Sequence, residues 1–208
     1  MSWRLALPTV LLITGTFRSL GAQSTGKPDT LPLRLRVMGN AVELSTGRLC
    51  QVRAGPEYRY TGGQRFILKS VADAEQHYFV SAERDGTIRR LYWLQSEELL
   101  PGRPGGYDYT SDSLRTLGTL PWWVSLRAVT GPPQAGSDRD ATVKYLTADG
   151  FRFPALAPRL RLVHVPEPRG RREFMVIYLE AASLAGVDTS FDAVLARARQ
   201  GLQFQACR

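Results

Sequence analysis

The chain has 208 residues, 43% hydrophobic and 22% charged, a size and balance that suit one globular domain with a single core. Its formal net charge of +8 is dispersed as Arg34/Arg36, Arg89/Arg90, Arg159/Arg161 and Arg169/Arg171/Arg172, with no Lys/Arg block. Nucleic acid is therefore not an expected partner, and the surplus reads as solubility plus a weak attraction to anionic surfaces.

Residues 1–22 have the layout of a secretory signal peptide: Arg4 in a short leading segment, a mostly apolar run over 5–16, and small residues at Ser19 and Gly21 ahead of a cut. The apolar run falls short of the roughly 18 to 20 residues of a membrane span. An uncleaved N-terminal anchor is the alternative. No later stretch is apolar for long enough to cross a bilayer. Cleavage would remove Arg4 and Arg18, lowering the charge from +8 to +6. The expected location is extracytoplasmic, periplasmic or secreted. There Cys50 and Cys207, the two cysteines of the chain, are expected to form a disulfide.

Residues 23–32 are rich in Ser, Thr, Gly and Pro and read as a flexible tail. A single globular α+β domain is expected over 33–208. Strict alternation over 33–38 predicts a strand with one wet face, followed by a turn at Gly39-Asn40. Short strands over 41–45 and 48–53 are split by Thr46-Gly47, residues 55–63 read as a loop, and 66–71 as a further strand.

The segment from about 76 to 97 is the strongest hairpin signal. Asp85-Gly86 between two β-rich runs predicts a two-residue type I′ turn, which folds residue 80 onto 91 and 78 onto 93. One face then carries Tyr78, Val80, Leu91 and Trp93; the other carries His77, Phe79, Tyr92 and Leu94. A hairpin apolar on both faces must be covered on both.

Residues 101–106 form a Pro/Gly break, and 107–112 an aromatic and acidic loop. A strand is expected over 123–129. Ser137 caps a helix over about 138–149, with Ala141, Val143, Leu146 and Tyr145 offered for its buried side. A second hairpin spans about 159–182. It groups Leu160, Leu162 and His164 with Phe174, Val176 and Tyr178 on one face. Phe191, Val194, Leu195, Ala198 and Leu202 recur at helical spacing and predict a last helix over about 190–203. The fold class is mainly antiparallel α+β, with one curved sheet built on the two hairpins.

Trp93, Gln95 and Glu97 fall on one strand face, an arrangement that suits a pocket with an apolar floor and polar rim. Trp122 and Tyr107 belong to the second concentration of aromatic residues. These five form the candidate ligand-binding set, although the strand residues also suit a plain core. His77 and His164 lack metal-ligand spacing and read as core histidines bonded to backbone, so no metal is expected. No P-loop, dinucleotide fingerprint or nucleophile elbow is present, and no cofactor is expected. Whether the chain is an enzyme stays undecided, with the absence of motifs leaning against it.

Three functions compete. The first is a non-catalytic binding or interaction module with an aromatic-lined pocket, whose partner is a small ligand or an envelope component. The second is an envelope-associated structural protein using its basic surface. The third is an extracytoplasmic hydrolase, which needs two of Glu97, Glu98, Asp108 and Glu180 within roughly 5 to 10 Å of each other.

Overall fold

Alternating apolar residues turn most of this chain into sheet. The computed structural model describes residues 31–46, 49–166, 170–181 and 188–207. The expected signal segment, and all but two residues of the expected tail, lie outside them. In chain order the elements are β1 (Val37–Met38), β2 (Ala41–Thr46), β3 (Leu49–Ala54), β4 (Arg59–Leu68), β5 (Ala72–Ala82) and β6 (Ile88–Leu99). There follow β7 (Ser113–Leu117), β8 (Leu120–Thr130), α1 (Asp138–Ala148), β9 (Leu156–His164), β10 (Arg172–Glu180), α2 (Phe191–Gln200) and β11 (Leu202–Ala206). The result is an α+β fold with antiparallel sheet, as the patterning predicts. It contains two sheets where one was expected: a seven-stranded one in the order β4-β5-β6-β10-β9-β8-β7 and a four-stranded one in the order β1-β2-β3-β11.

The two expected hairpins lie side by side at the centre of the large sheet, joined through β6 and β10. Val80 pairs with Leu91 and Tyr78 with Trp93, the register expected from the sequence. The turn between them differs. Glu83 O accepts from Gly86 N at 3.1 Å, Glu83 N donates to Thr87 O at 2.8 Å, and the register shifts by one between Ser81 and Ala82. This is a three-residue connection with Gly86 at φ +86° and a bulge beside it, in place of the two-residue type I′ turn. The bulge restores the register that the longer turn would have displaced.

Because both hairpins are apolar on both faces, both faces of the large sheet are covered. On one, Phe79, Tyr92, Phe174, Tyr178 and Trp122 pack against Val42 and Val52 of the small sheet and Val194 and Ala198 of α2. On the other, Tyr78, Leu91, Trp93 and Ile177 lie under Tyr145 and Leu146 of α1 and under Phe151. Burying one such side chain contributes about 1.5–3 kcal/mol.

Several local expectations change. The strand predicted over 33–38 shrinks to β1, because the segment before it is held by side chains instead of a ladder: Arg34 N and Leu35 N each donate to the Glu75 carboxylate at 2.8 Å. The loop expected over 55–63 becomes strand from Arg59, where Gly62 (φ +115°) sits at a register shift and leaves room for the Tyr145 hydroxyl. The α1 stripe is Thr142, Tyr145 and Leu146, with Ala141 and Val143 only half-buried. Ser137 Oγ accepts from Asp140 N at 3.1 Å as a cap, while the Asp140 carboxylate takes Gly136 N and Lys144 Nζ, both at 2.8 Å. The last helix ends at Gly201, and Leu202 opens β11, which pairs with β3 beside the Cys50–Cys207 disulfide.

Candidate functional site

On β6 the pleat sends Trp93, Gln95 and Glu97 toward α1. Across the ladders they face Tyr78, Gln76 and Ala74 on β5, and Ile177, Met175 and Glu173 on β10. Gln64 of β4 extends the row beyond Gln76. Polar side chains enclosed this far from water must satisfy one another, and here they do so in one direction. Gln64 Nε2 donates to Gln76 Oε1 at 2.8 Å, Gln76 Nε2 to Gln95 Oε1 at 2.7 Å, and Gln95 Nε2 to Glu97 Oε1. Trp93 Nε1 joins at Gln95 Oε1, 2.8 Å away. Each amide points its donor toward the Glu97 carboxyl, so the row is polarised to favour negative charge at that end.

The segment between β6 and β7 closes over this end. Tyr107 Oη donates to Glu97 Oε2 at 3.1 Å, and Tyr109 Oη donates to Glu173 Oε2. Glu97 and Glu173 are cross-strand partners in the ladder between β6 and β10. Burial, and then the charge of Glu97, push the Glu173 carboxyl up to about 8. Burial likewise raises Glu97, against hydrogen bonds from Gln95 and Tyr107 that favour its charged form. Glu173 therefore keeps its proton at neutral pH. Burial and the nearby carboxylates keep Tyr107 and Tyr109 protonated.

Beside the polar row, α1 and residues 153–157 enclose a cavity of about 460 Å³ against β9 and β10. Its wall is mostly apolar, with Trp93, Phe153, Ala157 and Leu179 among its lining, and Arg139, Thr142 and Arg159 are its polar and charged residues. Trp93 and Thr142 belong to both features: Thr142 Oγ1 also lies 3.3 Å from Gln76 Oε1. Arg159 stands opposite Leu179 of β10 and Arg127 of β8. Its Nε is buried without a hydrogen-bond partner among the described residues, as is Arg161 Nε. Such an unmet donor costs about 1–3 kcal/mol. Burial lowers the Arg159 pKa; Asp138 opposes this, while Arg161, Arg127 and Arg139 reinforce it.

Of the five residues expected to bind ligand, Trp93, Gln95, Glu97 and Tyr107 form one hydrogen-bonded chain, and only Trp93 of these lines the cavity. Trp122 is fully buried on the opposite face of the sheet, its ring 5.0 Å from Phe204 and 5.5 Å from His164, so it shares no site with them. Adjacent strand residues point oppositely, and here Trp123, half-buried, takes the α1 face.

His164 fits the expectation of a core histidine, with Nδ1 3.0 Å from Pro121 O. His77 departs from it. Its Nε2 lies 2.9 Å from Glu75 Oε1 and its Nδ1 3.0 Å from Tyr60 Oη. Burial alone would raise the Glu75 carboxyl, but hydrogen bonds from His77, Leu35 N and Arg34 N hold it below the usual range.

The four carboxylates expected to supply a hydrolytic pair do not assemble. Glu98 and Asp108 are exposed, and Glu180 lies on the opposite face, bound to Tyr178 and Arg197. Glu97 pairs with Glu173 instead. Sequence reasoning missed Arg159, although a signal existed: alternation places Arg159 and Arg161 on the same face as Met175, Ile177 and Leu179. An arginine aimed at an apolar strand face needs a reason to be there. Compared with known proteins, the chain matches no family model, no curated protein and no solved structure, so its chemistry is read from its own residues.

Proposed function

We propose that the chain is an extracytoplasmic binding module that takes a small, largely apolar ligand into the cavity above Trp93. The observation that carries this reading is the cavity itself. At about 460 Å³ it falls within the range of ligand sites, with apolar walls and a few convergent polar groups. The indole floor is held in place by the bond from Trp93 Nε1 to Gln95, so it needs little reorganisation on binding. The Cys50–Cys207 disulfide is consistent with a location outside the cytoplasm. Weak attraction of the dispersed arginines to anionic surfaces would be a secondary property of the same module.

The test is binding of the neutral apolar fluorophore N-phenylnaphthylamine to the oxidised protein and to Val143→Trp, which places a bulky ring at the cavity wall. The wild type is expected to bind and the variant to lose roughly tenfold in affinity. Equal binding by a variant with an unchanged circular dichroism spectrum would place the ligand elsewhere.

A further inference from the structure

We propose that the ligand of this cavity is an amphipathic monoanion, its apolar body lying on Trp93 and its charged head paired with Arg159. This rests on the reading that the cavity takes a ligand at all, and adds the chemistry of that ligand. The cavity is not uniformly apolar. Arg159 enters its wall from β9 between two different neighbours in register, Leu179 on the inner side and Arg127 on the outer. Arg159 thus lines the cavity from a strand position with an apolar neighbour on one side and a basic one on the other.

Three further guanidiniums act on it. Arg161 follows two positions along the same strand face, Arg127 lies across the ladder, and Arg139 comes from the first turn of α1 on the other side of the cavity. Two of these are already engaged: Arg139 Nη2 donates to Gly131 O at 2.7 Å, and Arg161 Nη2 to Asp112 Oδ2 at 2.7 Å. Arg161 also lies over the Tyr109 ring, 5.0 Å from its centre. Asp138 offsets part of the positive field, but its Oδ1 accepts from Arg139 N. Arg159 has a buried Nε with no acceptor among the described residues.

Like charges drawn together around an apolar space disfavour one another until an anion arrives. A planar guanidinium offers a carboxylate, a phosphodiester or a sulfonate a directional, charge-assisted contact. A wholly apolar ligand would leave the Arg159 guanidinium without a counter-charge. A cationic amphiphile would add repulsion. One anionic head on an apolar body satisfies both parts of the wall.

Matched amphiphiles that differ only in their heads test the assignment: decanoate, decanol and decyltrimethylammonium, each titrated against bound N-phenylnaphthylamine on the oxidised protein. Decanoate is expected to displace the probe at roughly tenfold lower concentration than decanol, with the cation weakest. In Arg159→Met the ratio of decanoate to decanol is expected to fall to about one, and in Arg159→Lys to an intermediate value. Decanol displacing as well as decanoate from the wild type would overturn the head assignment and leave the cavity reading standing. Failure of the fluorophore itself to bind would remove both. A variant that keeps the full decanoate preference would also overturn the assignment. If Arg159→Met does not fold, the wild-type ratio alone decides.

Discussion

Glu97 and Glu173 face each other in the ladder between β6 and β10, and the folded protein raises both carboxyls. Glu173 reaches about 8, whereas an unfolded glutamate titrates near 4.3. Between those values the folded chain keeps a proton that the unfolded chain releases, so this pair stabilises the fold most at low pH and loses that contribution as pH rises toward 8. The expected outcome is a wild type more stable near pH 5 than near pH 8.5, by on the order of 4 kcal/mol. Glu173→Gln should flatten that slope, as read from urea midpoints at the two pH values; an unchanged slope would show that other groups set it. Glu97 was legible in the sequence as one of three polar or aromatic residues on a strand face. Its partner was not, because Glu173 reaches it only through the pairing of two separate hairpins, which leaves no local trace. Trp122 shows the same limit. Alternation says that one of two neighbouring tryptophans is core, and only the packing against Phe204 and His164 says which.

At the scale of elements, both hairpins and both helices follow from local pattern, since apolar alternation and the Ser137 cap act over a few residues. What escaped prediction is what other elements decide. Helical spacing alone carries the last helix on through Leu202, into what is β11. Gly201 interrupts it, and the open edge of β3 then takes Leu202–Ala206 as a fourth strand. The Glu83–Thr87 turn is a subtler case. Asp85-Gly86 correctly marked its place, but the chain uses glycine at one position only, and for two reasons. Gly86 has φ +86°, and a Cβ there would sit 2.5 Å from Gly150 O, where the turn meets the segment after α1. Gly86→Ala is therefore expected to destabilise the fold by about 1–3 kcal/mol, the scale of a strained backbone position. Asp85→Asn, at an exposed site with an ordinary φ, should change it by less than about 0.5 kcal/mol. Chemical denaturation of both variants checks this; equal midpoints would mean that the turn relaxes freely.

Across the described residues, a seven-stranded sheet lies between α1 on one face and the four-stranded sheet with α2 on the other. The two layers are held differently. α1 is enclosed within the large sheet's own sequence, between β8 and β9. The small sheet is assembled from the two ends of the described chain, β1 to β3 and β11, and Cys50–Cys207 joins them across 157 residues. Such a link chiefly restricts the unfolded chain, and for so long a loop the entropic model gives about 5 kcal/mol, of which engineered cases often deliver less. Reduction should therefore act first on the small sheet, where β11 is short and largely exposed, while the cavity side keeps its core. The expected outcome for Cys50→Ser/Cys207→Ser is a loss of about 2–5 kcal/mol in global stability. Amide exchange should accelerate in β11 and β3 well before it does in β5, β6 and β10. Fluorophore binding at the Trp93 cavity should survive under conditions where the protein remains folded. Uniform acceleration of exchange across both sheets, with binding lost in parallel, would show instead that the two layers form one cooperative unit.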